Sequence, residues 1–86
     1  MRVEEFKMER RQLLEVVYPG AVLKVKEYKL PNSYYYVLGN AYACSKNYSS
    51  EERITATEGK VLEVDERERG FYVSVEVDEA ESSSVE

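Results

Sequence analysis

The hydrophobic residues near the start of the sequence recur at the spacing of an α-helix. Over residues 3–17 the apolar positions fall within about one third of a helix circumference, and charged residues occupy most of the remainder. The apolar residues are Val3, Phe6, Leu13, Leu14 and Val17. Tyr18-Pro19-Gly20 ends the element, because a residue before proline disfavours the helical region and glycine supplies a turn. The pattern predicts an N-terminal amphipathic helix over residues 3–17.

After Gly20 the period changes to two residues, which is typical of β-strands. Leu23 and Val25 alternate with lysines, and the apolar parity then switches near Glu27, as it does at a bulge or a sharp bend. The clearest alternation runs over residues 71–78 and predicts a hairpin strand with one buried face. Its apolar positions are Phe71, Val73, Val75 and Val77.

Two further β-favouring runs, residues 34–38 and 41–44, flank Gly39-Asn40. A glycine-first pair between two such runs favours a two-residue hairpin turn. The alternative is one long strand that contains a glycine bulge. Both alternatives stay open at this point.

A helix followed by five or six short antiparallel strands predicts an α+β domain. We expect the helix to pack on a strongly bent antiparallel sheet or a small SH3-like partial barrel. The bend near Glu27 and the segment Glu58-Gly59-Lys60-Val61 are similar to features of such barrels, an analogy of architecture that carries no function. The expected domain covers residues 1–78, and residues 79–86 should form a disordered acidic, serine-rich tail with nothing to bury. The expected core comprises Phe6, Leu13, Leu14, Val17, Leu23, Val25, Val37, Ile54, Val64, Phe71, Val73 and Val75.

The length and composition exclude several classes of protein. The 86 residues, of which 43% are hydrophobic, suffice for one small core. No run approaches the roughly 20 apolar residues of a membrane helix, and residues 1–5 lack the apolar centre of a signal peptide. A single cysteine cannot form an internal disulfide. We therefore expect a cytoplasmic protein that makes no contact with membranes.

The net charge of −5 is unevenly distributed along the sequence. Residues 1–30 carry seven basic and five acidic residues, and residues 31–50 carry Lys46 as their single charge. Residues 51–86 carry four basic and twelve acidic residues. A non-specific polyanion binder is normally basic overall, so this balance argues against nucleic acid as a partner, although a local basic strip remains in the first third.

The residues that usually carry catalysis or bind metals are scarce. The sequence contains no histidine, so Cys44 has no imidazole base to activate it, and its apolar surroundings favour a small buried hydrophobe. There is no cysteine pair, calcium-loop motif or glycine-rich phosphate loop. We expect neither an enzyme nor a protein with a metal ion or other cofactor.

Tyrosine is the one residue type that is unusually frequent: the sequence has eight tyrosines, compared with two phenylalanines and no tryptophan. Tyrosine suits a shallow core, because its ring packs while its hydroxyl reaches water. In the predicted hairpin, however, Tyr34, Tyr36 and Leu38 share the face opposite Tyr35 and Val37, so both faces are apolar. Either another element covers the Tyr34/Tyr36/Leu38 face or it binds a partner. The first functional hypothesis is a protein-interaction or assembly module that uses this face to bind a protein partner or a second copy of the chain.

The second hypothesis is a small barrel that binds single-stranded nucleic acid. Lys24, Lys26 and Lys29 would follow the phosphates while Tyr28, or a tyrosine of the hairpin, stacks on bases. The acidic last third would repel such a strand unless it lay on the far side of the domain. A third hypothesis, an acidic nucleic-acid mimic that blocks a basic cleft, is weakened by Arg67 and Arg69 within the acidic stretch.

Overall fold

Six antiparallel strands close into a barrel in the computed structural model, which describes residues 2–77. The order around the barrel is β1-β4-β3-β2-β5-β6. The predicted tail over residues 79–86 lies outside the described residues. The strands are β1 (Arg2–Met8), β2 (Val22–Lys29), β3 (Tyr34–Leu38), β4 (Ala43–Ser45), β5 (Glu58–Arg67) and β6 (Gly70–Val77), and single turns of 3-10 helix lie at Arg11–Glu15 and Ser50–Glu52.

The predicted N-terminal helix over residues 3–17 is wrong, because its first half is strand β1. β1 pairs with β6 along its whole length, from Arg2 opposite Val77 to Met8 opposite Phe71. The second half contains one short 3-10 turn whose leucines are only partly buried. The described chain has no α-helix, so the fold is an all-β closed barrel, not an α+β domain with a bent sheet or partial barrel.

The β5–β6 hairpin supplies one wall of the core. The alternation predicted for this region is confirmed, since Phe71, Val73, Val75 and Val77 are all buried. Opposite them, Gly59 lies against β6 so closely that a Cβ atom there would come 2.4 Å from Cγ1 of Val75. Seven of the expected core residues belong to the core cluster, and Leu13, Leu14, Leu23 and Val64 pack against it half-buried. Val37 is also buried, but it lies outside that cluster, on the outer face of β3 opposite Cys44. The structure adds several members, notably Met8, Tyr36, Leu38, Ala43, Tyr48, Val61 and Val77.

Of the two alternatives predicted near Glu27, a bulge or a sharp bend, the bulge is absent, because the β2–β3 register runs without a shift from Val25–Leu38 to Lys29–Tyr34. The sequence pattern changes at this point because polar Glu27 occupies an inward-facing position, opposite Tyr36. The next residue, Tyr28, faces outward although its ring is apolar. The register shift in the described barrel lies instead in β5, between Val61 and Glu63.

The connection between β3 and β4 is longer than either sequence alternative. Leu38 lies opposite Ala43, so the turn comprises residues 39–42. The amide of Tyr42 donates to the carbonyl of Leu38 over 2.9 Å, and Gly39 and Ala41 adopt positive φ values of 61° and 63°. The longer turn shifts the pairing by two residues, which changes the partner of each residue but leaves Ala43 on the same face as Leu38.

Candidate functional site

The face formed by Tyr34, Tyr36 and Leu38 points into the barrel. Tyr36 and Leu38 have no exposed surface, and Tyr34 packs half-buried against the core. The register explains this placement, because Leu38 lies between two inward residues, Val25 on β2 and Ala43 on β4. The surface predicted to bind a partner is therefore covered, and it is the barrel rather than a helix that covers it.

The buried Tyr36 hydroxyl anchors a polar cluster at one end of the barrel. It donates to Oε2 of Glu27 over 2.7 Å and accepts from the amide of Ile54 over 2.8 Å. Arg53 donates two hydrogen bonds to the same carboxylate, from Nε to Oε2 over 2.9 Å and from Nη2 to Oε1 over 2.7 Å. These arginine hydrogen bonds hold the pKa of Glu27 below its usual value, whereas burial raises the pKa of Tyr36.

A second polar cluster joins β1 to the segment that follows β4. The Tyr48 hydroxyl donates to Oε1 of Glu4 over 2.7 Å, and Nε of Arg2 donates to Oε2 over 2.6 Å. Burial raises the pKa of Tyr48, and the hydrogen bond to the Glu4 carboxylate adds to this effect. Arg2 also donates to the carbonyl of Arg53 over 2.9 Å, so the two clusters are connected. Because every strong polar group here has a partner, we interpret both clusters as structural.

The outer surface of β2 and β3 presents a stacked aromatic pair. Tyr28 lies directly opposite Tyr35, with ring centroids 5.2 Å apart and planes inclined by 15°. Tyr28 is 44% exposed, the largest aromatic exposure in the barrel strands. The sequence pattern identified Tyr28 but favoured the face of Tyr35 and Val37 as the core, because both faces of this strand are apolar and the alternation alone does not show which one points inward.

Lysines border this aromatic pair. Lys24 and Lys26 are exposed on the outward parity of β2, and Lys46 is exposed just after β4. None of these three lysines forms an ion pair with a residue in the range 2–77. Lys29 is also exposed, but it alternates with the inward-facing residues of β2 and lies at the end of that strand, opposite Tyr34. We call the outward residues of this surface the basic face: Lys24, Lys26, Tyr28, Tyr35 and Lys46.

The strand order separates opposite charges over part of the barrel. Residues 22–46, which include β2, β3 and β4, contain four lysines and one acid, a net charge of +3. Residues 58–77, which form β5 and β6, contain six acids and three basic residues, a net charge of −3. In the cyclic order, β3 lies opposite β6 and β4 lies opposite β5. β2, however, pairs directly with β5, where Lys24 lies opposite Glu58, so the opposite charges are separated across the barrel for β3 and β4 but adjoin along the β2–β5 ladder.

Cys44 is exposed, which corrects its predicted burial as a small hydrophobe. It lies on the outer surface in a cross-strand row, opposite Val37 on β3 and opposite Lys7 on β1. The row continues from Val37 to Lys26 and from Lys7 to Tyr72. The row thus connects the basic face with the outer surface of β1.

A cleft of about 590 Å³ opens along this surface between β1 and the end of β4. Its lining includes the lysines at 7 and 46, both of which are near aromatic rings. Nζ of Lys46 lies 5.2 Å from the ring centroid of Tyr48, and Lys7 lies opposite Tyr72. The remaining lining residues are Val3, Glu4, Glu5, Phe6, Cys44 and Ser45.

Neither a metal centre nor a membrane-spanning helix is found in the part of the chain that the structure describes. No three histidine, cysteine or acidic side chains there come together to hold a metal ion. No helix there is long and apolar enough to cross a membrane.

No protein family, curated protein or solved structure matches the chain. Relatives therefore assign no function, and any functional conclusion depends on the geometry of the barrel itself.

Proposed function

We propose that this protein is a non-catalytic module that binds single-stranded nucleic acid on the basic face. The observation that carries the proposal is the stack of the exposed Tyr28 on the half-buried Tyr35, near lysines that form no ion pair within residues 2–77. Aromatic rings on a basic strand surface provide stacking platforms for bases, while the lysines neutralise phosphates.

The charge separation supports this proposal despite the acidic total. A nucleic acid that approaches β3, β4 and the outward side of β2 meets residues of net positive charge. β6 lies across the barrel from β3, and β5 lies across from β4 but adjoins this surface at Glu58, opposite Lys24. At physiological salt, exposed charges more than about 8 Å apart are largely screened from one another. The local charge of the basic face therefore matters more for binding than the net charge of −5.

Other features weigh against the two competing hypotheses. An interaction module that uses Tyr34, Tyr36 and Leu38 would have to open the barrel, because Tyr36 and Leu38 are fully buried. A nucleic-acid mimic would need an uninterrupted acidic field. Arg67 instead bonds to Asp65 at 2.8 Å and lies 3.5 Å from Glu5.

Titration of a fluorescent oligothymidine of about twelve nucleotides tests the proposal, since small barrels cover roughly 4–16 nucleotides. We expect binding whose affinity falls as the salt concentration rises, and a plot of log affinity against log salt concentration should have a slope of about −2, for three lysines at roughly −0.7 per phosphate contact.

Tyr28→Ser should weaken binding about 5- to 100-fold, because a base loses its stacking partner. Lys26→Gln should reduce the salt slope.

Two variants elsewhere on the surface serve as matched controls. Tyr18→Ser changes a tyrosine that is 50% exposed in the turn before β2, and Arg69→Gln changes an exposed basic residue in the turn between β5 and β6. Both should bind like the unaltered protein. Absence of binding, a slope near zero, or equal losses in Tyr28→Ser and Tyr18→Ser would refute the proposal.

A further inference from the structure

The barrel wall is incomplete beside the first half of β1. β1 pairs with β6 throughout, but its pairing with β4 comprises only Phe6–Ser45 and Lys7–Cys44. Beyond Ser45 the chain turns towards β3, where Tyr48 exchanges two backbone hydrogen bonds with Tyr34 at 2.7 and 2.9 Å. Val3, Glu4 and Glu5 of β1 consequently have no strand partner on this side within the described chain.

This gap gives the cleft a row of main-chain hydrogen-bonding groups. In an antiparallel strand, alternate residues turn their amide and carbonyl groups towards opposite neighbours. Some of the groups of Val3, Glu4 and Glu5 therefore face the side where the β4 ladder has ended. Such groups require a partner, which is water or a ligand in a cleft that opens to solvent.

The charges in the cleft favour an anionic ligand. Its two carboxylates already have cationic partners, Glu4 with Arg2 at 2.6 Å and Glu5 with Arg67 at 3.5 Å. Lys46 forms no ion pair with the described residues, and Lys7 has only a long one, 3.8 Å from Glu9. The lining charges without a counter-ion closer than 3.8 Å are therefore Lys7 and Lys46.

The cleft is continuous with the basic face through the row Lys26–Val37–Cys44–Lys7, and Lys46 belongs to both. Its volume of about 590 Å³ lies within the roughly 300–1,000 Å³ of ordinary small-ligand sites. A strand bound on the stacked tyrosines can thus extend into the cleft without crossing the acidic hairpin.

We propose that one nucleobase of the bound strand enters this cleft and hydrogen-bonds the main chain of residues 3–5, while Lys7 and Lys46 hold the adjoining phosphates. This inference rests on the proposed function and adds base preference to it. Stacking on Tyr28 and Tyr35 tolerates every base, whereas hydrogen bonds to a base edge distinguish among bases.

The test compares oligomers of about twelve nucleotides made of deoxyadenosine, deoxycytidine or thymidine alone, with hydrogen exchange followed by NMR on the full chain. We expect the best and worst oligomers to differ at least about fivefold in affinity, as expected for one specific base contact. The favoured oligomer should also slow exchange of at least one amide among Val3, Glu4 and Glu5. Equal, salt-dependent binding of all three would overturn this inference and leave the proposed function intact, whereas absence of any binding would overturn both.

Cys44 provides a way to block the cleft, since it is exposed there and is the one cysteine in the sequence. Reaction with N-ethylmaleimide should abolish the difference among the oligomers, and the same treatment of Cys44→Ser should leave that difference unchanged. A labelled protein that keeps its full base preference would contradict the proposal. Protection of the β1 amides by an extended valine–threonine peptide, but by no oligomer, would identify a protein strand as the occupant and would also overturn it.

Discussion

Gly59 shows how closely one residue of this barrel constrains another. It is buried in β5, and the position of its absent Cβ lies 2.4 Å from Cγ1 of Val75 and 3.2 Å from Cγ1 of Val77. Atoms do not approach this closely without movement, so any side chain at this position must displace β6 or the valines. The glycine is needed here for space rather than for an unusual backbone conformation.

We predict that Gly59→Ala destabilises the protein by about 1–3 kcal/mol, the usual cost of overpacking a core. Urea unfolding followed by circular dichroism measures this change. Val75→Ala removes the methyl group that clashes, so the double variant should be more stable than the sum of the two single losses. Strict additivity would show that the close approach is not the cause.

Tyrosine is the residue type whose position the sequence predicts least well. Tyr36 is fully buried and keeps its hydroxyl satisfied by Glu27 and Ile54, whereas Tyr28 lies outside with its ring exposed. Both environments suit a side chain with an apolar ring and a polar tip. Valines and phenylalanines lack this freedom, which is why most of the predicted aliphatic core is correct and the predicted tyrosine surface is not.

At the scale of single elements, β1 explains why the predicted helix is wrong. Its inward positions are Arg2, Glu4, Phe6 and Met8, so only two of the four are apolar and the alternation is weak. Several of its residues also favour helices intrinsically. The strand forms because β6 pairs with it along its whole length and because Tyr48 partners Glu4. Both partners are distant in the sequence, and such contacts override local propensity.

The β5–β6 hairpin was predictable for the opposite reason. The buried residues of β6 alternate strictly, and Arg67 lies opposite Gly70 across a two-residue connection. The positive φ of Gly70, 137°, suits this tight turn. Here the local pattern and the final pairing agree.

The segment between β4 and β5 is fastened to the barrel largely through one hydroxyl. We predict that Tyr36→Phe costs about 1–3 kcal/mol, because it leaves the buried amide of Ile54 without its partner. Hydrogen exchange should accelerate over residues 49–57 more than over β6. Tyr34→Phe is the matched control, since its hydroxyl has no hydrogen bond to the described chain. Equal effects of the two variants would contradict this role for Tyr36.

At the scale of the whole molecule, the cyclic order of the strands was beyond prediction from the sequence. Local periodicity identifies strands but does not say that β1 joins β6 or that β2 separates β3 from β5. The candidate site depends on that order. Lys24, Lys26 and Tyr28 were identifiable as its members, but the charge separation and the cleft arise only from strands brought together by closure.

The stability of the whole barrel should decline at both ends of the pH range. The lowered pKa of Glu27 means that its contribution is complete above its unfolded-state pKa of about 4.3 and is lost as pH falls through the folded-state value. The raised pKa values of Tyr36 and Tyr48 mean that their contributions are complete below about pH 10 and are lost as pH rises through the folded-state values.

Urea midpoints measured across this range test the expectation. In Glu27→Gln the decline on the acid side should be shallower than in the unaltered protein, because the residue that titrates there has been removed. Glu68→Gln changes an exposed carboxylate that forms no ion pair within residues 2–77, so its profile should follow that of the unaltered protein. If the urea midpoint of Glu27→Gln fell at acid pH as steeply as that of the unaltered protein, the contact between Glu27 and Arg53 would not stabilise the fold.

The pairing of β1 with β6 also bears on how the molecule is made. Arg2 lies opposite Val77, so β1, which is synthesised before the other five strands, pairs fully only after β6 has been synthesised. At roughly 5–20 residues per second, Phe6 and Met8 spend several seconds without their final neighbours. We therefore expect β1 to be the part of the nascent chain that most needs a chaperone during translation.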